Sequence, residues 1–327
     1  MSAIQKISSP STDVAGPPGA ISPPSSRCVL ITGGLGFLGL AVARGFKARG
    51  DRVVGLGHGE ATTALSQGYD RWLQADVSSA ALATLDERFD VVVHCAGRSS
   101  VAWSIEHPLE AFEATVGSTA ELLDHLRRGN PDALVIQASS AAVYGAAEDR
   151  PLRVGDRPNP VSPYGFHKEM TEGLLRSHAS AFGQRCIAVR FFSIYGPGLR
   201  RQLLWDAATK LSAGHEEAVF WGTGQETRDW IHVDDAARLV IRLADAPHDL
   251  HLLNGASGVR STVAQTLEQL RAALGSTTRL RFNGQVKAGD PLHYHADMAE
   301  ADRLGWQPAI SLEDGLRDFA QWFKDIA

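Results

Sequence analysis

Tyr164 and Lys168 stand four residues apart in Tyr164-Gly165-Phe166-His167-Lys168, a spacing that places both on one face of a helix. A phenol titrates near roughly 10 and is a poor base at neutral pH, but a nearby ammonium favours the phenolate. Such a phenol can pass a proton to or from a substrate hydroxyl while a hydride moves to or from a nicotinamide. Upstream, Ser139-Ser140-Ala141-Ala142-Val143-Tyr144-Gly145 closes an apolar run. Ser140 is placed to hydrogen-bond the same oxygen and stabilise developing charge. Taken alone, a tyrosine and a lysine at this spacing are most often a solvated surface pair. Their reading changes with what precedes them.

What precedes them is Thr32-Gly33-Gly34-Leu35-Gly36-Phe37-Leu38-Gly39. Glycines at 33, 36 and 39 allow a tight turn, close approach of backbone to a pyrophosphate, and close packing of helix on strand. Phe37 and Leu38 would open the helix whose free N–H groups and dipole favour an anion. These residues are therefore expected to bind a dinucleotide. At the end of the next strand an NAD site usually carries an acidic residue. Here the run is Gly57-His58-Gly59, with Glu60 only later. A 2′-phosphate would not be repelled and His58 could approach it, so the expectation leans to NADP over NAD. The plainer alternative is an open turn that accepts either.

The elements that must position these groups follow from periodicity. CVLITGG, RVVGLG, residues 71–74, DVVVHCAG, ALVIQASS and RCIAVRFFSIYG read as six buried strands. Helices are expected over 37–49, up to Gly129 through Phe112, Val116, Leu123 and Leu126, and over 164–181. Alternating strands and helices imply a Rossmann-type doubly wound parallel sheet, which binds ligands at the carboxyl ends of its strands. The expected organisation is a leader over 1–26, rich in Ser, Pro and Gly; a dinucleotide-binding domain over 27–195; and a smaller mixed α/β substrate-binding domain over 196–327. Residues 229–245 again read as strand then helix, returning to the first domain.

TGGLGFLG, VVVHCAG, SSAAVYG, YGFHK and RFFSIYGPG, in this order, resemble the extended short-chain dehydrogenase/reductase family of nucleotide-sugar epimerases, dehydratases and reductases. The resemblance runs from about Arg27 to the C-terminus. It implies a catalytic set of Tyr164, Lys168 and Ser140, with Lys168 also contacting the nicotinamide ribose. Asp76 and Val77 match the family's adenine-contacting pair, and Cys95, Ala96 and Gly97 match the turn lining the cofactor. Gly222-Thr223-Gly224-Gln225-Glu226-Thr227-Arg228-Asp229 resembles a run whose arginine meets the substrate diphosphate, where a fork of donors suits a phosphate. Lys287 stands where relatives usually carry a second arginine. Arg200 and Arg201 follow the sixth strand and could face the substrate. Ser193 replaces an asparagine that contacts the substrate in relatives, and Thr115 stands where many have asparagine. Leu304-Gly305-Trp306-Gln307-Pro308 resembles a structural C-terminal turn. A homodimer formed through residues 112–128 and 164–181 is implied by the resemblance alone.

Departures from the pattern narrow the reaction. The 4,6-dehydratases carry an Asp-Glu pair where this chain has Ala141 and Ala142, which cannot transfer protons. Relatives resembling fucose synthase carry a cysteine at the position of Ala142 and a histidine near Gly198; both are missing. Hydride and proton exchange at carbon 4 remains. That fits an epimerase, slightly favoured, or an NADPH-dependent 4-keto-sugar reductase. A reductase of a non-nucleotide ketone would need a greasy pocket in place of Arg228. A non-catalytic cofactor sensor would have lost Tyr164 and Lys168.

Composition agrees with an ordinary enzyme. The chain has 327 residues, 32 basic and 37 acidic, with a formal net charge of −5. No basic run suggests nucleic acid. Cys28, Cys95 and Cys186 have no metal or disulfide spacing and read as buried thiols of a cytoplasmic protein. No signal peptide or membrane span is visible. His107, His215, His232, His293 and His295 form no metal pattern.

Overall fold

The structure, a computed structural model, describes residues 26–146, 149–247, 249–285 and 292–326. Lys287 and nearly all of the expected leader lie outside the described residues. The strands are β1 (Cys28–Thr32), β2 (Arg52–Gly57), β3 (Arg71–Gln74), β4 (Val91–His94), β5 (Leu134–Ser140), β6 (Cys186–Phe191), β7 (Ser193–Tyr195), β8 (Glu217–Phe220), β9 (Thr227–His232), β10 (Leu252–Gly255), β11 (Arg260–Thr262) and β12 (Arg279–Phe282). Seven of them form one parallel sheet in the order β10-β6-β5-β4-β1-β2-β3.

The longer helices are α1 (Phe37–Ala48), α2 (Ser118–Gly129), α3 (Pro163–Phe182), α4 (Gln202–Ser212), α5 (Val233–Leu243), α6 (Val263–Leu274) and α7 (Leu312–Ile326). Both faces of the sheet are covered, as continuous apolar strands require. On one face Val29 and Ile31 pack with Val42 and Phe46 of α1 and with Leu239 and Val240 of α5. On the other, Leu30 and Val92 pack with Leu122, Leu123 and Leu126 of α2 and Leu175 of α3. A separate apolar core joins Leu211 of α4, Leu267 and Leu270 of α6, and Phe319 and Phe323 of α7. This second core stands beside the carboxyl ends of the main strands.

Two elements differ from the periodicity. RCIAVRFFSIYG is two strands, because the chain leaves the main sheet after Phe191. Phe192 N–H donates to Gly255 O at 3.0 Å, and Ser193–Tyr195 then pairs with Trp230–His232 in a three-stranded sheet. The helix expected through Phe112 and Val116 is interrupted by a π-helical turn, Glu113–Gly117, which lays buried Thr115 against the backbone near Gly97. Such turns recur beside functional sites. The edge strand β10, only four residues long, was not read from the sequence.

Candidate active site

The strand ends open into a cleft of about 1440 Å³ lined by both cores. Its first wall is the glycine-rich turn. Gly33 N–H donates to Leu56 O at 2.8 Å, and Gly36 N–H to Gly33 O at 2.9 Å. Gly33 has φ +65°, and a Cβ there would lie 2.8 Å from Ala96 N. A Cβ on Gly39 would lie 2.5 Å from Gly33 O. The turn therefore admits only glycine at both positions. It delivers α1 with Gly36 as an N-cap making no side-chain hydrogen bond, and with no acidic residue in the first turn. Phe37 and Leu38 face the cleft. An uncapped helix start of this kind fits a pyrophosphate.

At the far end of the same wall, the segment after β3 brings Asp76 to the exposed side chain of His58, with Nε2 and Oδ1 2.5 Å apart. Val77 lines the cleft beside them. A carboxylate thus stands at this end after all, contributed by the neighbouring strand. The floor is Cys95, Ala96 and Gly97. Cys95 N–H donates to Thr32 O at 3.1 Å, and Ala96 N–H to Thr32 Oγ1 at 3.3 Å. Thr32 Oγ1 also hydrogen-bonds His94 Nδ1 at 2.6 Å. Burial lowers the His94 imidazole to about 3 and pushes the Cys95 thiol up to about 12. Both are neutral at pH 7, so Cys95 has no thiolate character.

The strand end opposite carries the acid–base set. Ser162 caps α3, accepting from Gly165 N–H at 3.2 Å, so Tyr164 lies in the first turn and Lys168 one turn later. Lys168 is buried; its Nζ donates to Ala138 O at 2.7 Å and lies 5.9 Å from the Tyr164 ring centroid. Burial lowers its ammonium to about 8. The Ser140 hydroxyl lines the cleft with Tyr164 and accepts from Ala142 N–H at 3.1 Å. Burial raises the Tyr164 pKa; the Ser140 hydroxyl and the positive charge of Arg201 oppose that rise. The lowering expected from Lys168 is not found: the cation that acts on the phenol is Arg201, and burial outweighs it.

A buried polar network holds this end rigid. Ser139 Oγ donates to Glu172 Oε1 at 2.6 Å, and Arg190 donates to both Glu172 oxygens at 3.0 and 2.8 Å. The Arg190 guanidinium stacks 4.6 Å from the Tyr144 ring centroid, and Tyr144 OH donates to Asn254 Oδ1 at 2.6 Å. β5, α3, β6 and β10 are thereby tied together beneath Ser140.

On the remaining wall Ser193 and Arg228 line the cleft. The loop before Arg228 is shaped by Glu226, which accepts from Thr223 N–H at 2.8 Å and Gly224 N–H at 2.9 Å. Asp229 is buried and accepts from Ser257 N–H and Oγ, both at 2.8 Å. Its role is to fix the loop after β10. Arg200 does not reach the cleft lining; its guanidinium sits 5.9 Å over the Trp322 ring, and Arg201 faces the cleft instead. Gln202, which follows Arg201 directly, has φ +68°, alone among described non-glycine residues. A long side chain in that region costs about 1–2 kcal/mol. Arg98 and Trp221 also line the cleft and were not singled out from sequence. Arg98 follows directly on Cys95-Ala96-Gly97, which was the available signal.

The family model for the NAD dependent epimerase/dehydratase family matches residues 29–254. The chain belongs to this family. It is 29% identical to a UDP-glucose 4-epimerase of Azospirillum brasilense over 92% of this chain and 93% of that protein. Among solved structures it resembles a UDP-N-acetylglucosamine 4-epimerase from Methanobrevibacter ruminantium, in complex with UDP-N-acetylmuramic acid. The identity is 25% and the TM-score 0.85, covering 92% of this chain and 99% of that one. It also resembles MoeE5 in complex with UDP-glucuronic acid and NAD, at 26% identity and TM-score 0.82, covering 91% and 99%. Among the described residues, no helix is long and apolar enough to cross a membrane.

Proposed function

We propose that this protein is an NAD-dependent nucleotide-sugar 4-epimerase. The observation that carries the reading is the placement of Ser140, Tyr164 and buried Lys168 in one cleft with the glycine turn of α1. The relatives of similar length are named as 4-epimerases of UDP-sugars. Gly33, Gly36, Phe37, Leu38 and Gly39 would hold the pyrophosphate, Asp76 and Val77 the adenine, and Lys168 the nicotinamide ribose. A nicotinamide bound there supplies the acceptor and donor for a hydride at carbon 4.

The chain's own residues supply the rest. Tyr164, as phenolate, takes the proton of the carbon-4 hydroxyl and later returns it. Ser140 donates to the carbon-4 oxygen and steadies the charge that builds on it. Lys168 holds a positive charge behind the phenol. Arg228 binds the diphosphate, which must let the sugar turn between two faces without leaving. Ala141 and Ala142 offer no second acid or base, which argues against dehydration.

NAD is favoured over the NADP first inferred from His58. The Asp76 carboxylate, 2.5 Å from His58, opposes a 2′-phosphate. The same contact removes the main argument for an NADPH-consuming reductase. A homodimer through α2 and α3 is part of the proposal. Phe112, Phe166 and Met170 are exposed on the surface that α3 forms with the segment before α2.

The test is to identify any nucleotide that copurifies by mass spectrometry, then incubate the protein with UDP-, GDP-, CDP- and dTDP-sugars, with and without NADPH. Tightly held NAD and interconversion of two epimers without net cofactor consumption is the expected result. Stoichiometric NADPH oxidation on a 4-keto sugar would overturn it in favour of a reductase.

A further inference from the structure

The phenol stands in the first turn of α3, where backbone N–H groups have no partner within the helix. Phe166 N–H makes the first intrahelical bond, to Ser162 O at 3.0 Å. Of the helical positions before it, Pro163 has no N–H to place. Gly165 N–H donates to the cap, Ser162 Oγ, at 3.2 Å. That leaves Tyr164, whose N–H crosses 60 residues of chain to donate to Ser104 Oγ at 3.1 Å. We propose that Ser104 is a positioning residue for epimerisation: it fixes the backbone from which the Tyr164 phenol reaches the sugar. The inference rests on the epimerase reading and adds to it a residue that touches neither sugar nor dinucleotide.

The surroundings of Ser104 suit this task. It is 1% exposed, so water does not replace it as the acceptor. Its hydroxyl proton goes to Val101 O at 2.7 Å, which leaves the oxygen to accept from Tyr164. A serine bonded to the carbonyl three residues back is by itself an ordinary local arrangement; the bond to Tyr164 is what joins two segments. Val101 and Ala102 open the short helix Val101–Glu106 and line the cleft. Ser100 caps this helix, accepting from Trp103 N–H at 3.2 Å. The Trp103 ring lies 5.1 Å from His107 and 4.7 Å under the Arg98 guanidinium. The segment that continues from Cys95-Ala96-Gly97 is thus braced where it meets Tyr164.

Other contacts fix the same turn from the β5 side. A Cβ on Gly165 would lie 2.6 Å from Ala142 O and 2.9 Å from Pro160 Cβ, so α3 is pressed on the chain that follows Ser140. Lys168, one turn on, is held by Ala138 O. Ser104 is the restraint that comes from the β4 side, and it acts on the backbone of Tyr164 itself. Without it a buried N–H is left unpaired, and the turn relaxes toward a new acceptor. A displacement of about 1 Å can cost about 10²-fold in rate.

The test compares Ser104→Ala, Ser104→Cys and Thr278→Val with wild type on whichever UDP-sugar the wild type epimerises, with rates normalised to bound dinucleotide. Thr278 is the control: its buried hydroxyl donates to His215 O at 2.8 Å and does not line the cleft. Ser104→Ala should lower kcat about tenfold or more, while KM and the affinity for UDP stay within about threefold of wild type. Ser104→Cys keeps the shape with a weaker acceptor and should fall between the two; it reads the same split if Ser104→Ala does not fold. Thr278→Val should keep the wild-type kcat. A smaller fall in Ser104→Ala, wild-type kcat in Ser104→Cys, a rise in KM that matches the fall in kcat, or an equal fall in Thr278→Val would overturn the assignment. Tyr164→Phe in the same assay separates the two readings. Its collapse beside an active Ser104→Ala would overturn the role of Ser104 alone, whereas an active Tyr164→Phe would overturn both.

Discussion

The Ser139 hydroxyl donates to Glu172 Oε1 at 2.6 Å, joining the strand end that carries Ser140 to the helix that carries Tyr164 and Lys168. Glu172 in turn neutralises Arg190, which is 1% exposed. Removing one partner of a buried pair leaves an uncompensated charge and costs about 3–5 kcal/mol. Glu172→Ala should therefore lower the urea midpoint by that equivalent and loosen Ser140. An unchanged midpoint would show that the network carries no such energy.

Lys168 links pH to both activity and stability, with opposite signs. Burial brings its ammonium down to about 8. As pH rises through that value the phenol loses its supporting charge, so turnover should fall on the alkaline side with a midpoint near 8. A lysine whose folded pKa lies below its unfolded one destabilises the fold while charged. That penalty is full below the folded value and fades as pH climbs toward about 10.4. The melting temperature of wild type relative to Lys168→Met should therefore rise between pH 8 and 10, where activity falls. A flat difference curve would contradict the burial of the charge.

The glycine turn can be tested against a control within the same chain. Gly39→Ala would put a methyl group 2.5 Å from Gly33 O, whereas nothing lies within 4 Å of a Cβ on Gly129. Gly39→Ala should cost about 1–3 kcal/mol and weaken dinucleotide binding at least tenfold. Gly129→Ala should be neutral or stabilising by up to about 1 kcal/mol. Chemical denaturation and cofactor titration of both variants check this; equal behaviour would contradict it.

Phe166 and Met170 lie one turn apart on α3 and are 46% and 47% exposed. If this face pairs with a second copy, Met170→Glu buries a charge at the interface. Sedimentation velocity should show a dimer for the wild type and a monomer for the variant. A monomeric wild type would remove the dimer from the account.

Local signals in the sequence were enough for some parts of this site and not for others. The glycines at 33, 36 and 39 and the Tyr164–Lys168 spacing are legible because one turn and one helix contain each of them. His58 and Asp76 are 18 residues apart and meet only because β2 and β3 are neighbours; reading each strand end alone left the first without a carboxylate and produced the lean to NADP. Arg200 and Arg201 look equivalent in the chain, and only the fold shows that Arg201 lines the cleft while Arg200 sits over Trp322. Residues 186–195 are apolar apart from Arg190 and Ser193, so periodicity could not show that Phe192 marks a change of sheet.

The decisive measurement is the turnover of Tyr164→Phe on whichever nucleotide sugar the wild type epimerises, with the bound dinucleotide quantified in the same samples. The substitution removes one hydroxyl from a site held by Ser162, Ser140 and Lys168. Turnover should fall by about 10²–10⁴-fold while dinucleotide content stays at the wild-type level. Turnover within tenfold of wild type, with dinucleotide still bound, would contradict a role for this phenol in moving the proton.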